Sequence, residues 1–232
     1  MINIINHNEE RQYMFNDKIE PSIVGSLVIR DKNTGEILVK KKNAIHQGNM
    51  AYIIACALAG AATSVNVGGG TPSINWMAFG NGGSVSTTTL AYRSPRVSTI
   101  YDEQSMATSN SSLYSKTYET QTSSVVYFPG QSLSETEYVP NSTAKLVFTV
   151  ELDHNDIAAY TGATIPESDS STDTASVAAF TFDELGLVAG VTEAGIMQED
   201  KSLLVTHVVF HPVLLSANRT IVIDYTITIQ VS

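Results

Sequence analysis

The residues of this chain with chemistry to offer are a few histidines and carboxylates, and their spacing limits what they can do. His207 and His211 lie four apart. On a helix that spacing would point two imidazoles at one metal ion. The surrounding segment, Ser202 to Phe210 ahead of Pro212, reads instead as a strand. On a strand the two rings share a face but stand ~13 Å apart along it. Metal–nitrogen bonds of ~2 Å cannot span that distance. The pair therefore reads as core or interface histidines with satisfied ring nitrogens. Asp153, Asn155 and Asp156 could offer oxygens to a hard cation, but the calcium-loop pattern with its central Gly and final Glu is missing. Asp153 or Asn155 reads better as a helix cap. Asp183 and Glu184 are adjacent, so on a strand they are expected to face opposite sides, which does not favour a paired acid and base.

The remaining motifs lead away from catalysis. Gly80-Asn81-Gly82-Gly83-Ser84 lacks the Lys and the spacing of a phosphate loop, and Gly68-Gly69-Gly70 is not followed by a helix start. Both read as turns. The single Cys56 sits in an apolar stretch, has no evident catalytic partner and rules out an intrachain disulfide framework. Tyr114, Lys116, Tyr118, Thr120 and Thr122 share one parity and are expected to form an exposed face able to stack on sugars. Trp76, the sole Trp, lies in an apolar segment and is expected to be buried. The sequence thus nominates no catalytic, cofactor-binding or metal-binding residue, and no cofactor.

The elements that must carry these residues are mostly strands. Ser22 to Lys42 reads as a hairpin, with Ile23, Leu27 and Ile29 on one face of the first strand and a turn through Asn33 and Gly35. Asn43 to Gly60 reads as the main helix, capped by Asn43, with Met50, Ile53, Ile54, Ala57 and Leu58 as its apolar stripe and Ala51, Ala55 and Ala59 as a small-residue face. Strands are expected at Ile74–Phe79, Arg96–Tyr101, Leu113–Phe128 (one long strand or a pair), Ala144–Leu152, Ser176–Val188 and Ser202–Phe210, the last stopped by Pro212. Thr220–Val231 alternates most strictly, with Ile221, Ile223, Tyr225, Ile227, Ile229 and Val231 on one face. Asp153-His154-Asn155-Asp156 is expected to open a short helical turn through Tyr160, followed by a Ser/Thr/Asp-rich mobile loop from Thr161 to Thr174. The sum is a mainly β chain: an antiparallel β-sandwich or jelly-roll-like barrel with one main helix. Residues 1–20 read as an N-terminal arm, and 21–232 as a single domain.

Composition narrows the partners. Of 232 residues 16% are charged, against ~25% in average proteins. Hydroxyl residues take their place, which suits a surface packed against neighbours. A net charge of −10 repels phosphate backbones, so direct nucleic-acid binding is not expected. Lys40, Lys41 and Lys42 form the one basic run, read as a solvated strand end. No stretch approaches the ~20 apolar residues of a membrane span. The polar Met1–Glu10 lacks an apolar signal core, so folding in a cytoplasm is expected.

Three groups of residues carry a resemblance. The first is Lys42-Asn43-Ala44-Ile45-His46 with Asn49-Met50 and Leu58-Ala59-Gly60. The second is Met77-Ala78-Phe79-Gly80-Asn81-Gly82-Gly83. The third joins Phe182-Asp183-Glu184-Leu185-Gly186-Leu187, Glu193-Ala194-Gly195-Ile196, Leu203-Leu204-Val205-Thr206-His207, Phe210-His211-Pro212-Val213 and Tyr225-Thr226-Ile227-Thr228-Ile229. From about Ser22 to Ser232 this arrangement resembles a group of tailed-bacteriophage virion structural proteins of the tail, neck or baseplate type. The resemblance implies a non-enzymatic particle component, assembled in a host cytoplasm with other virion proteins, without fixing its position; strand edges that must be hidden or shared lead to the expectation of a symmetric ring or trimer. The alternative expectation is a receptor- or glycan-binding fibre or capsid-decoration module.

Overall fold

The computed structural model describes residues 21–59, 73–86, 89–97, 112–134, 136–153, 180–193, 196–216 and 219–231. The arm, the Gly68–Gly70 triplet, the 156–160 turn and the 161–174 loop lie outside them. The first half of the described chain contains β1 (Pro21–Asp31), β2 (Ile37–Lys42), β3 (Ala44–Ile45), α1 (Gln47–Ala59), β4 (Ser73–Gly80), β5 (Ser84–Ser86), β6 (Leu90–Tyr92), β7 (Lys116–Gln121) and β8 (Ser123–Tyr127). Then come β9 (Ser132–Ser134), β10 (Glu137–Tyr138), β11 (Thr143–Leu152), β12 (Phe180–Glu193), β13 (Ile196–Leu204), β14 (Thr206–Leu215) and β15 (Ile221–Val231).

Two antiparallel sheets face each other across one core. The first runs β2-β1-β15-β11-β8; the second runs β3-β14-β12-β4-β7, with β13 also on β12. The expected sandwich is therefore present, built as two separate hydrogen-bonded ladders. The alternating final strand sits at the centre of the first sheet, paired along its whole length with β1 and β11. Its Ile221, Ile223, Tyr225 and Ile227 point inward beside Leu27, Ile29, Phe148 and Val150, opposite Phe79, Phe182, Leu185 and Phe210 of the second sheet. Burial drives the Tyr225 phenol far above its ordinary range, so it stays protonated. The other parity faces out, where Asp224 pairs with Arg30 and accepts from Thr149 Oγ1 at 2.8 Å.

On both sides of the sandwich the chain passes from one sheet to the other. On one side β7 leaves the second sheet at Thr122 and continues as β8 in the first, so of the two readings of Leu113–Phe128, one long strand or a pair, the pair is the one present. On the other side β2 leaves the first sheet and β3 joins the second through Asn43, whose N–H donates to the Gly25 carbonyl at 3.1 Å. A Cβ on Gly25 would lie 2.0 Å from Asn43 Oδ1, so a side chain there would have to displace the Asn43 amide.

That corner corrects the helix start. Asn43 is part of the corner and does not cap α1. Ala44 and Ile45 remain extended to pair with β14, and the helix begins at Gln47. His46 is the cap: its Nδ1 accepts the Asn49 N–H at 3.2 Å and its carbonyl accepts the Met50 N–H at 2.9 Å. The buried stripe is Asn49, Met50, Ile53 and Cys56, while Leu58, expected inside, is 84% exposed. The stripe is rotated because Asn49 must face inward, where its Nδ2 donates to the Leu204 carbonyl at 2.8 Å. Ala51, Ala55 and Ala59 face solvent. In the first hairpin Gly35 takes the positive φ (73°) and Asn33 does not.

β13 and β14 form one long return strand along β12, kinked at Val205. The expected stop at Pro212 is not found: the strand runs on through it to Leu215. Pro212 lies in β14 where the register with β12 shifts, between the Phe182–Val213 and Glu184–Val209 pairs. At the kink the chain crosses close over Gly186, where a Cβ would meet the Thr206 carbonyl oxygen at 2.2 Å. Gly186→Ala is expected to lower the unfolding free energy by about 2 kcal/mol in urea titration, because backbone has to move. Arg96 and Val97 lie outside any strand; the rest of the expected 96–101 strand lies outside the described residues.

Candidate functional site

A buried cluster of charged and polar groups forms where β12 meets the turn after β4. Strand β12 reads Phe180-Thr181-Phe182-Asp183-Glu184-Leu185, two carboxylates inside an apolar run. A strand without irregularity would send them to opposite faces. The register shift opposite Pro212 re-aims them, and both carboxylates meet the Gly82–Ser84 turn. This corrects the expectation of divergent side chains.

Asp183 holds the turn from one side. Its Oδ1 accepts the Gly83 N–H at 2.8 Å, and its Oδ2 accepts the Ser84 N–H at 2.7 Å together with the Ser84 hydroxyl. Glu184, 0% exposed, holds it from the other. Its Oε1 accepts the N–H groups of Gly82 (3.2 Å) and Ser115 (2.8 Å). Its Oε2 accepts the Tyr114 N–H and His207 Nε2, each at 2.9 Å. His207 is equally buried, and its Nδ1 accepts the Arg96 N–H at 2.8 Å. That bond assigns the proton to Nε2, the nitrogen facing Glu184. Burial by itself would raise the Glu184 pKa. The bonds from His207, Tyr114 and Ser115 outweigh it and hold the carboxyl below its ordinary range.

Tyr114 lids the cluster. Its ring lies 5.8 Å from the His207 ring, its hydroxyl donates to the Ser94 carbonyl at 2.8 Å, and the guanidinium carbons of Arg93 and Arg96 stand 4.8 and 4.0 Å from its centroid. Tyr118 points into the core against Phe79 and Phe180. The expected exposed tyrosine face is therefore absent: one ring is buried, and the other lies beneath two arginines. On the outer side of the second sheet Trp76 is buried with Ala78, Leu113, Val188 and Leu204.

The other sequence candidates are dispersed. His211 is exposed and meets the Tyr92 hydroxyl at 3.1 Å, away from His207's partners. Lys41 is not simply solvated: its Nζ donates to the Val209 carbonyl at 3.1 Å and stands 5.3 Å from the Tyr92 ring centroid. Cys56 is buried and free. Asn155 and Asp156 lie outside the described residues. Among the described residues no group of three His, Cys, Asp or Glu converges as for a metal, and no helix is long and apolar enough to cross a membrane. The sequence reading missed Glu184 as the organiser of these loops. Its signal was two adjacent acids in an apolar central strand, which demand partners when buried.

A Glu–His pair can serve as a general base when the imidazole has a free nitrogen facing a substrate. Here each imidazole nitrogen already has a protein partner, and the nearby Ser84 hydroxyl is held by Asp183. The cluster works as a clasp. It binds the 82–84 turn, the 114–115 segment and the 96 loop onto β12 and β14.

No protein-family model, curated protein or solved structure matches this chain.

A third carboxylate, Asp31, holds a turn at the end of β1 in the first sheet. Asp31 Oδ1 accepts the N–H groups of Asn33 (2.9 Å) and Thr34 (3.0 Å), and its Oδ2 accepts Arg219 Nε at 2.9 Å. The Arg219 bond, then the backbone bonds, lower its pKa from 3.8 to about 2. A depressed carboxyl contributes stability above its unfolded pKa and loses it as pH falls through the folded value. Glu184 has the same sign. Burial lowers the His46 pKa, so its contribution begins to fall earlier, once pH drops below its ordinary 6.5. Urea midpoints measured against pH are expected to decline gently below that point and steeply below the carboxylate range. Asp31→Asn should remove part of the acid limb.

Proposed function

We propose that this chain is a non-enzymatic structural subunit of a tailed-phage virion, assembling as a symmetric oligomer in the neck, collar, tail or baseplate. The observation that carries the reading is the clasp: the most chemically capable side chains, Asp183, Glu184 and His207, are buried and bonded to backbone, where they position loops. Low charge and exposed apolar side chains, including Leu58, Val125, Phe128 and Tyr138, add a surface suited to packing. The resemblance across residues 22–232 supplies the kind of particle. The receptor- or glycan-binding alternative draws on a Tyr114/Tyr118 face and on polar loops; Tyr118 is buried and Tyr114 lies beneath Arg93 and Arg96, so those two rings do not favour it.

Antibodies raised against the purified chain test the proposal on particles from the source of the sequence. Labelling at one fixed position along the tail axis is the expected result. Intact, purified particles in which mass spectrometry finds no peptide of this chain would overturn it.

A further inference from the structure

The two edges of the first sheet differ in kind. At one edge β2 carries Lys40, Lys41 and Lys42, and its register with β1 shifts between Ile29 and Arg30. Charge, lysine above all, and irregular register are the devices that keep an edge from pairing with another chain. At the other edge β8 reads Ser-Ser-Val-Val-Tyr, followed by Phe128, with neither a charge nor a proline from Ser123 to Phe128. Among the described residues β8 pairs only with β11, which leaves its outer row of N–H and carbonyl groups open.

Its side chains are uncovered as well. The register sets Val126 beside Leu146 and Val125 beside Val147, so Val126 follows the core-facing parity and Val125 the outer one. Yet Val126 is 43% exposed, Val125 53% and Phe128 60%. The strand overhangs the core and presents apolar side chains on both faces beside an open backbone edge.

We propose that β8 is a pairing edge for β8 of a second copy of this chain, joined antiparallel about a twofold axis near Val125. Two observations select a second copy. Each molecule carries a net charge of −10, so most surfaces repel their own duplicates, whereas Ser123–Phe128 contributes no charge. The segment is also self-complementary. A twofold at Val125 sets Val125 against Val125 of the partner subunit, Ser124 against Val126, and Ser123 against Tyr127. The Val125–Val125 contact at the axis is a β-branched cross-strand pair of the kind that stabilises a ladder, the flanking Ser pairs bring no charge against charge, and a twofold contact closes on itself. The pairing deepens the reading of the chain as an assembly subunit and rests on it.

Sedimentation of the purified full chain tests this with two charge variants, Val125→Glu and Val125→Lys. The site is exposed, so each variant should fold with an unchanged urea midpoint. The wild-type chain is expected to form dimers or multiples of dimers. Each variant alone should dissociate at least tenfold more readily, and an equal mixture of the two should recover the wild-type association. A wild-type chain that stays monomeric up to its solubility limit overturns the pairing, as does association untouched by either variant, or a mixture no stronger than the variants alone. None of these results alters antibody labelling of particles, so failure of the edge and failure of the particle assignment are told apart.

Discussion

Glu184→Ala is expected to remove about 4 kcal/mol of unfolding free energy, since it orphans several buried donors at ~1–3 kcal/mol each, with losses that do not add fully. The N–H groups of Gly82, Tyr114 and Ser115 and the His207 Nε2 all lose their acceptor at once. Glu184→Gln should recover only part of the loss. Its amide keeps one oxygen for two of the donors but turns an NH2 toward the others. His207 cannot relieve the clash by exchanging tautomers, because its Nδ1 must accept from Arg96. Urea unfolding gives the magnitude. Amide hydrogen exchange gives the location: protection should fall at Gly82–Ser84 and at Tyr114–Ser115 while β1 and β15 stay protected. Uniform loss of protection, or a change below about 1 kcal/mol, would show that the cluster is not the clasp described.

Phe182→Ala is the second large effect, at about 3–5 kcal/mol. The ring is fully buried, stacks on Phe180 at 5.5 Å and meets Phe79 and Phe210 edge-on at 5.4 and 5.7 Å. Truncation removes apolar area, ring-to-ring geometry and volume together. These neighbours lie on β4, β12 and β14, whose ladders hold them in place, so the cavity cannot collapse fully. Phe182→Leu should lose markedly less. Protection should fall across both sheets, in contrast to the local pattern expected for Glu184→Ala. Equal effects of the two substitutions in denaturant would argue against Phe182 as the centre of the core.

How the sequence encodes this molecule differs between its parts. The strict alternation of residues 221–231 was legible because one face of the strand is buried, and a period of two follows directly from the pleat. The same logic held for β1 and β11, and the abundance of such segments gave the sandwich. The Leu113–Phe128 region misled because Tyr118 shares its parity with polar residues. Only the opposing strands decide which side of β7 is the inside. The helix boundary failed at Asn43 for a related reason. Asn43 is a good cap in isolation, but the chain needed that residue to turn between sheets, and His46 took the role.

Pattern and propensity are local properties, and by themselves they determined a β-rich chain, its central strands, one helix, a buried Trp76 and a buried Cys56. The tertiary structure alone decided where the acids go. Pro212 and the register shift opposite it turn Asp183 and Glu184 onto a turn a hundred residues away in the chain. It also decided which edge stays open, since β8 is an edge only because no described strand lies beyond it. Both depend on contacts between distant segments, and the spacing of residues along the chain does not record them.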